Sequence, residues 1–237
     1  VAGAYDDAFE LCGKACREFG WYDRSTGANP FTREGKKTCA FELCEQLGWK
    51  IPDFIFVPAG DGNIISGIWK GLRELRTLGL ISRAPRLVAA QAAGSDSIAR
   101  AVASGGSPRP CRAQTIADSI SVRLPKDGDA AVAAVRQSGG FAVRVSDAEI
   151  LAAMRELARR ANVFAEPAAA AAYAGLSRAA REGLVRSRHS AAVLITGNGL
   201  KDAAAARQAA GKPHCISPDM RALRALVDRG ALNLNAT

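Results

Sequence analysis

The stretch FIFVPAGDGNIISGIWKG, from Phe54 to Gly71, decides the fold of this 237-residue chain. It begins with a short apolar run typical of a buried strand, passes through a turn with glycines at positions 60 and 62, and ends in a helical pattern. Glycine leaves room for a ligand close to the backbone, and the first N–H groups of a helix have no acceptor within it. The stretch therefore predicts a strand–turn–helix unit with an anion site at the helix N-terminus.

Two interpretations of the GDGN turn remain open from these residues alone. Either it binds a phosphate, or it is a tight turn between a strand and a helix with no ligand. Asp61 is unusual in a phosphate loop because its carboxylate would repel the anion. If a phosphate binds, we expect the Asp61 side chain to turn outward, so that only its backbone N–H faces the site.

Four further stretches accompany this turn, in the same order and at similar intervals as in one known family. They are NPFTREGKKTCAFELCEQLGW from Asn29, PRLVAAQAAGS from Pro85, FAEPAAAAAYAGL from Phe164 and LITGNGLKD from Leu194. With them, the chain resembles the threonine synthase family of pyridoxal-phosphate enzymes from about Gly3 to Asp202. The resemblance implies an α/β, tryptophan-synthase-β-like fold (fold type II), with a mostly parallel sheet and helices on both faces.

The resemblance also implies pyridoxal 5'-phosphate as the cofactor and assigns two of its contacts. The phosphate would be held by backbone N–H groups of Gly60, Asp61, Gly62, Asn63 and Ile64. The Thr196 hydroxyl would hydrogen-bond the pyridine nitrogen, which a hydroxyl, unlike a carboxylate, does not keep protonated. Such a ring suits elimination and replacement at the β or γ carbon better than transamination. As an alternative, Thr196 is a strand-end residue that only satisfies a turn.

The start of the chain predicts that part of the family's enzyme is missing. The segment GAYDDAF from Gly3 is similar to one that lies well inside the family's enzymes, so we expect the fold to be incomplete at the N-terminus. No lysine matches the one that forms the Schiff base with the cofactor. We therefore assign no catalytic residue and expect the chain alone to be inactive. Residues 1–28 are predicted to be a remnant of the small domain, and residues 29–237 the large cofactor-binding domain.

Glu166 precedes Pro167, which suits the first turn of a helix. Its carboxylate could face the cofactor pocket. An acidic residue at a helix N-terminus also interacts favourably with the helix dipole, and we favour this second interpretation.

The composition is that of a chain with a substantial core, since 48% of its residues are hydrophobic. No apolar stretch approaches the length needed to cross a bilayer, and no signal segment opens the chain, so we expect a cytoplasmic protein without a membrane partner. The net charge of +9 comes from scattered lysines and arginines without interleaved aromatic residues. We therefore expect no nucleic-acid partner.

Six cysteines raise the question of disulfides or metal binding. The chain is too long and too rich in helical patterns for a small secreted disulfide scaffold. It has no CxxC motif, and no histidine lies near Cys12 and Cys16 or near Cys39 and Cys44 in the sequence. We expect reduced, structural thiols and no metal site.

Apolar runs alternate with helical patterns along the chain, which indicates βαβ units and a largely parallel sheet. Strands are predicted at Phe54–Pro58, Leu87–Gln91, Phe141–Val145 and Ala191–Thr196. Helices are predicted at Asp6–Phe19, at Glu34–Leu47, at Ile64–Leu78, from a capping box at Ser146–Glu149 to about Ala161, and from Pro167 onward. Surface loops are predicted at Ser104–Pro110 and Pro125–Gly128, and the tail after Lys212 is left unassigned.

One departure from the family pattern concerns the substrate. Where threonine synthases commonly read NPxRxEGQKT, this chain reads NPFTREGKKT. Thr32 stands in place of an arginine that suits the phosphate of phosphohomoserine, and in a helix Arg33 would point about 100° away. Threonine cannot replace a bidentate, charge-assisted contact. The expected substrate is therefore a small amino acid, phosphorylated or not.

Three functions remain open at this point. The first is a lyase similar to threonine synthase, which converts O-phosphohomoserine and water to threonine and phosphate. The second, favoured by Thr32, is a serine/threonine-dehydratase-like or β-replacement enzyme. The third is a non-catalytic module that binds phosphate ligands or assembles with a separately encoded N-terminal half. A homodimer is compatible with each.

Overall fold

The computed structural model of the protein describes residues 1–230. Within that range the elements are α1 (Tyr5–Phe19), α2 (Pro30–Gln46), β1 (Phe54–Pro58), α3 (Asn63–Thr77), β2 (Arg86–Ala92), α4 (Ser97–Ser104), α5 (Gly128–Gln137), β3 (Phe141–Val145), α6 (Asp147–Ala161), α7 (Pro167–Arg181), β4 (Ala191–Val193), α8 (Ala203–Ala210) and α9 (Met220–Asp228). Two short 3-10 turns lie at Asp118–Ile120 and Gly199–Asp202.

The four strands form one sheet in the order β3-β2-β1-β4, and every pairing is parallel. Phe54 at the start of β1 is in register with Arg86 of β2 on one side and with Ala191 of β4 on the other. All five residues of β1 are buried, as expected for a continuous apolar strand inside a parallel sheet. The predicted parallel sheet is confirmed.

Helices cover both faces of this sheet because successive side chains of a strand point to opposite sides. Phe54 and Phe56 belong to a core that they share with α6, α7 and α8. Ile55 and Val57 belong to a second core with α2, α3, α4 and α5. The predicted α/β architecture is confirmed.

Helices α2 and α3 pack closely because α3 has glycines on the face that meets α2. A Cβ atom on Gly67 would lie 2.8 Å from the Cβ atom of Lys36 and 3.1 Å from the carbonyl oxygen of Arg33. Contacts this short are possible only without a side chain at position 67. The packing places the first turns of α2 beside the N-terminus of α3.

Helix α1 is joined to the rest of the chain through Asp6, which is 2% exposed. The Asp6 carboxylate accepts hydrogen bonds from the backbone N–H groups of Arg123 (3.0 Å) and Leu124 (3.4 Å). The predicted domain division into 1–28 and 29–237 stays a prediction, and residues 231–237 lie outside the described range.

Three local predictions were wrong. Helix α2, predicted from Glu34, begins at Pro30, because the Asn29 side chain caps it and proline suits the first turn. The strand predicted at Ala191–Thr196 ends at Val193. The segment predicted as a surface loop at 125–128 is largely buried, with Asp127 only 6% exposed. It is buried because it packs against the GDGN turn, where the N–H of Lys126 donates to the Asp61 carboxylate at 3.0 Å.

The capping box that opens α6 is confirmed. The N–H of Ser146 donates to the Glu149 carboxylate at 2.8 Å, and the N–H of Glu149 donates to the Ser146 hydroxyl at 3.3 Å. The tail after Lys212, which the sequence left unassigned, contains α9. None of the helices found in residues 1–230 has the length and apolar character needed to cross a membrane.

Candidate functional site

The candidate site lies at the edge of the sheet where the parallel strands end. Strands β1 and β4 are neighbours, so the GDGN turn after β1 and Thr196 after β4 emerge at the same edge. Both line one cleft of about 380 Å³, which also has Pro58 in its wall. The other lining residues are Tyr5, Thr26, Lys36, the segment 118–122, Glu166, Ala168 and Lys201. The structure thus brings together all six residues predicted to contact the cofactor.

The GDGN turn requires glycine at two positions. Gly62 is the N-cap of α3 with φ of +85°, and a Cβ atom there would lie 2.6 Å from the Cβ atom of Ala131. A Cβ atom on Gly60 would lie 2.9 Å from the Cα atom of Ile120. The backbone of the turn is therefore packed against α5 and the 118–120 turn, which leaves its shape fixed.

The backbone donors of this turn fit an anion. Within residues 1–230, the N–H groups of positions 60 to 64 have no hydrogen-bond acceptor. They lie at the N-terminus of α3, where the helix dipole is positive, and the residues that carry them line the cleft. Such a group of free donors matches a phosphate. The residues present therefore fit the phosphate of pyridoxal 5'-phosphate.

The Asp61 carboxylate is held by groups from other parts of the chain. It accepts a hydrogen bond from the N–H of Lys126 at 3.0 Å and another from the Tyr5 hydroxyl. Burial raises the pKa of Asp61 above its ordinary value, and burial together with the Asp61 contact raises the pKa of Tyr5. The side chain thus ties the turn to α1 and to the segment before α5.

Asn63 connects the turn to α2. Its side chain is buried; its Nδ2 donates to Asp127, and its Oδ1 accepts from the Lys36 ammonium at 2.5 Å. Arg33 pairs with the same Asp127 carboxylate. The predicted phosphate turn is therefore backed by a chain of contacts that runs from Arg33 through Asp127 and Asn63 to Lys36.

Thr32 and Arg33, the two residues considered for the substrate phosphate, lie outside the lining of the cleft formed by residues 1–230. The Thr32 hydroxyl donates to the carbonyl oxygen of Asn29 at 2.7 Å, in the first turn of α2. The Arg33 guanidinium is engaged by Asp127. In the cleft formed by residues 1–230, neither Thr32 nor Arg33 is a lining residue, whereas Lys36, one turn further along α2, is.

Glu166 both begins α7 and faces the cleft, so the two interpretations from the sequence apply together. It is the N-cap of α7 and only 5% exposed. Its carboxylate accepts from the Lys201 ammonium at 2.9 Å, and its N–H donates to the carbonyl oxygen of Gly197 at 3.0 Å. These contacts place the carboxylate beside the segment that carries Thr196, whose own side chain is exposed.

The polar cleft residues that the sequence did not predict include Tyr5, Thr26, Lys36 and Lys201. Only Lys36 has a local signal, since it stands four residues after Thr32 and so lies on the same face of α2. Tyr5 and Thr26 reach the cleft through the packing of the first 28 residues, which a linear sequence does not show.

The cysteines are free thiols. Cys12 and Cys16 of α1 approach Asp23, and one potential ligand atom of each lies within 4.8 Å of the others. Burial and the neighbouring Cys12 raise the pKa of Cys16, which disfavours the thiolate needed for metal binding or redox chemistry. We assign no function to this group.

The sequence matches the family described as "Pyridoxal-phosphate dependent enzyme" over residues 1–197. It is 37% identical over 229 residues to a threonine synthase of Methanocaldococcus jannaschii, an alignment that covers 96% of this chain and 56% of the relative. It is 39% identical over 202 residues to a threonine synthase of Mycobacterium tuberculosis, covering 85% of this chain and 54% of the relative. The chain thus spans about half the length of the curated relatives that it matches.

Solved structures show the same fold. Maize serine racemase superposes with a TM-score of 0.66 at 24% identity, covering 97% of this chain and 61% of that one. A pyridoxal-phosphate-bound threonine synthase from Brucella melitensis superposes with a TM-score of 0.65 at 18% identity, covering 90% of this chain and 52% of that one. Both similarities support the tryptophan-synthase-β-like fold.

Proposed function

Since the chain belongs to the family of pyridoxal-phosphate-dependent enzymes, we propose that the cleft at the end of β1 and β4 holds the cofactor. The phosphate binds to the backbone N–H groups of residues 60 to 64, and the pyridine nitrogen accepts a hydrogen bond from the Thr196 hydroxyl. The observation that carries this proposal is the row of free N–H donors at the start of α3, in the same cleft as Thr196.

The activity that we propose for the whole enzyme is that of a lyase similar to threonine synthase, which converts O-phosphohomoserine and water to threonine and phosphate. Threonine synthases at 35% to 39% identity support it. The bound cofactor would supply an electron sink for the carbanion formed during the reaction. The residues of this chain hold the phosphate of that cofactor and orient its ring through Thr196.

A second candidate is a dehydratase or β-replacement enzyme acting on an unphosphorylated amino acid. Thr32 favours it, because the guanidinium that the family pattern places there is replaced by a short hydroxyl that is bonded to Asn29. A non-catalytic module, the third possibility, lacks a comparable observation in its favour.

We propose that the lysine that binds the cofactor aldehyde lies outside these 237 residues. The two lysines in the cleft are engaged, Lys36 with Asn63 and Lys201 with Glu166. The chain alone is then inactive, and the enzyme that contains it is cytoplasmic and acts on a small amino acid. A homodimer remains part of this proposal.

The activity is tested by supplying the whole enzyme with O-phosphohomoserine, L-serine and L-threonine in separate assays. Release of phosphate together with threonine from the first substrate supports a threonine synthase. Release of ammonia and a 2-oxo acid from serine or threonine, without turnover of phosphohomoserine, supports the dehydratase. A protein that binds pyridoxal phosphate but turns over none of the three would support the non-catalytic module.

A further inference from the structure

Among residues 1–230, the cleft contains one cation whose charge is not neutralised by a carboxylate. Of its two lysines, Lys201 forms an ion pair with the Glu166 carboxylate at 2.9 Å. Lys36 forms no ion pair with any carboxylate in residues 1–230 and donates instead to the neutral Oδ1 of Asn63 at 2.5 Å. The positive charge on Lys36 is therefore available to an anion.

The contacts around Lys36 explain why its ammonium forms no ion pair with a carboxylate in residues 1–230. Two acids, Asp127 and Asp61, lie near enough to attract the ammonium. The Asp127 carboxylate is occupied by the Arg33 guanidinium and by the side-chain N–H of Asn63. The Asp61 carboxylate accepts from the Lys126 N–H and from the Tyr5 hydroxyl. The Cβ atom of Lys36 packs against Gly67 of α3, which fixes where the side chain starts, and the ammonium donates to Asn63 Oδ1. The ammonium is thus positioned at the start of α3.

The Lys36 ammonium adds a full positive charge beside the backbone N–H groups of residues 60 to 64. Its partner Asn63 is the first residue of α3 and belongs to the row of free N–H groups. Burial lowers the pKa of Lys36, and a bound dianion would favour its charged form again. A helix N-terminus with free donors and an ammonium outside any ion pair is suited to an anion, and a phosphate monoester has oxygens enough to use several of these donors at once.

We propose that Lys36, held by Asn63, binds a phosphate monoester in the cleft and compensates for the arginine that Thr32 replaces. Lys36 and position 32 are one turn apart on the same face of α2, so a cation can reach the same space from either. This inference rests on the proposed function. Two phosphates have this chemistry, that of the cofactor and that of a phosphorylated amino-acid substrate.

The test compares Lys36→Gln, Lys36→Arg and Lys37→Gln in the whole enzyme. Glutamine keeps the Cβ atom that packs on Gly67 and a polar end group, but removes the charge and shortens the side chain by one atom. Lys37 is a matched control on the same helix, where its ammonium lies 2.9 Å from both Glu34 and Glu74 and is not part of the cleft. Two quantities are measured: the dissociation constant of pyridoxal phosphate, and protection of the cofactor-loaded protein against thermal unfolding by inorganic phosphate.

Loss of a charge-assisted contact predicts an affinity decrease of about ten- to a hundredfold in Lys36→Gln, partial recovery in Lys36→Arg and no change in Lys37→Gln. A decrease for pyridoxal phosphate assigns Lys36 to the cofactor phosphate. A decrease for inorganic phosphate with unchanged cofactor affinity assigns it to the substrate phosphate. Unchanged affinity for both in Lys36→Gln overturns the proposal, as does borohydride labelling of Lys36 with the cofactor. Failure of the wild type to bind pyridoxal phosphate contradicts the proposed function itself.

Discussion

Gly71 of α3 lies directly against the backbone of Lys37 in α2. A Cβ atom on Gly71 would be 2.5 Å from the Lys37 carbonyl oxygen and 2.9 Å from the Cβ atom of Ala40. One turn earlier, Gly67 makes the same kind of contact with Lys36. The distance between α2 and α3 is therefore set by two glycines, and this distance determines whether Lys36 reaches Asn63 in the cleft.

We expect Gly71→Ala to destabilise the fold by about 1–3 kcal/mol, because the added methyl group forces α2 and α3 apart. Gly35→Ala is the control. Gly35 lies within α2, and no atom of the described part of the chain lies within 4 Å of a Cβ position there. Alanine at this position should therefore stabilise the fold by about 0.5–1 kcal/mol through its better helix propensity. Urea unfolding measures both values. Equal effects of the two substitutions would show that the glycine contact does not set the packing.

Gly62→Ala tests the shape of the phosphate turn. Its Cβ atom would lie 2.6 Å from Ala131, in addition to the cost of a positive φ. Gly79→Ala is the matched control, since Gly79 has φ of +71° and no atom of residues 1–230 lies within 4 Å of a Cβ position there. Both variants carry the cost of the backbone conformation, roughly 1–2 kcal/mol, but only Gly62→Ala should also weaken pyridoxal phosphate binding. If Gly79→Ala weakens cofactor binding equally, general destabilisation is the cause.

Asp61→Asn should preserve the turn, because an amide can accept from the Lys126 N–H and donate to the Tyr5 oxygen. We expect affinity for pyridoxal phosphate within about threefold of the wild type, as for a nearly isosteric change. Loss of binding in Asp61→Asn would show that the carboxylate itself acts on the ligand.

Asp61→Asn should also change how the free energy of unfolding depends on pH. Burial raises the pKa of Asp61 in the folded protein above its ordinary value of 3.8. Well below pH 3.8 the carboxyl is protonated in both the folded and the unfolded state, and above the raised pKa the folded protein bears the cost of a buried charge. The stability advantage of Asp61→Asn over wild type should therefore grow as the pH rises from 4 to 7. An advantage that is constant or shrinks over this range contradicts the assignment.

Thr32→Arg tests whether the enzyme acts on a phosphorylated substrate. An arginine on this face of α2 supplies the donor fork of the family pattern, a contact worth about 1.5–3 kcal/mol. In the whole enzyme we expect kcat/KM for phosphohomoserine to rise roughly ten- to a hundredfold if Lys36 serves the cofactor phosphate, and to change little if Lys36 already holds the substrate phosphate. Serine and threonine should be little affected in either case. A wild-type enzyme that is already efficient on phosphohomoserine, and is unaffected or impaired by this substitution, would show that another cation holds the substrate phosphate. Lys36 is the candidate.

The features that the sequence predicted well depend on local chemistry. The bounds of β1 follow from an uninterrupted apolar run, and the turn before α3 from glycines at positions 60 and 62. The end of β4 was predicted three residues too late, because pairing depends on the partner strand. Strand β1 ends at Pro58. Just after β4, the N–H of Leu194 still donates to the carbonyl oxygen of Phe56 in β1.

The features that the sequence did not reveal depend on contacts between distant residues. Burial of Asp127 results from its bonds to Arg33 and Asn63, which are 94 and 64 positions away. The position of Lys36 in the cleft results from the close approach of α2 to Gly67. Composition and periodicity show that such residues are charged or small, but not which partner they meet.

The most direct test of the central claim is a crystal structure of the whole enzyme with pyridoxal phosphate bound. We predict that the phosphate oxygens lie about 3 Å from backbone nitrogens of residues 60 to 64 and that the pyridine nitrogen lies at a similar distance from the Thr196 hydroxyl. A cofactor phosphate bound elsewhere, with the N–H groups of this turn facing only water, would contradict the account.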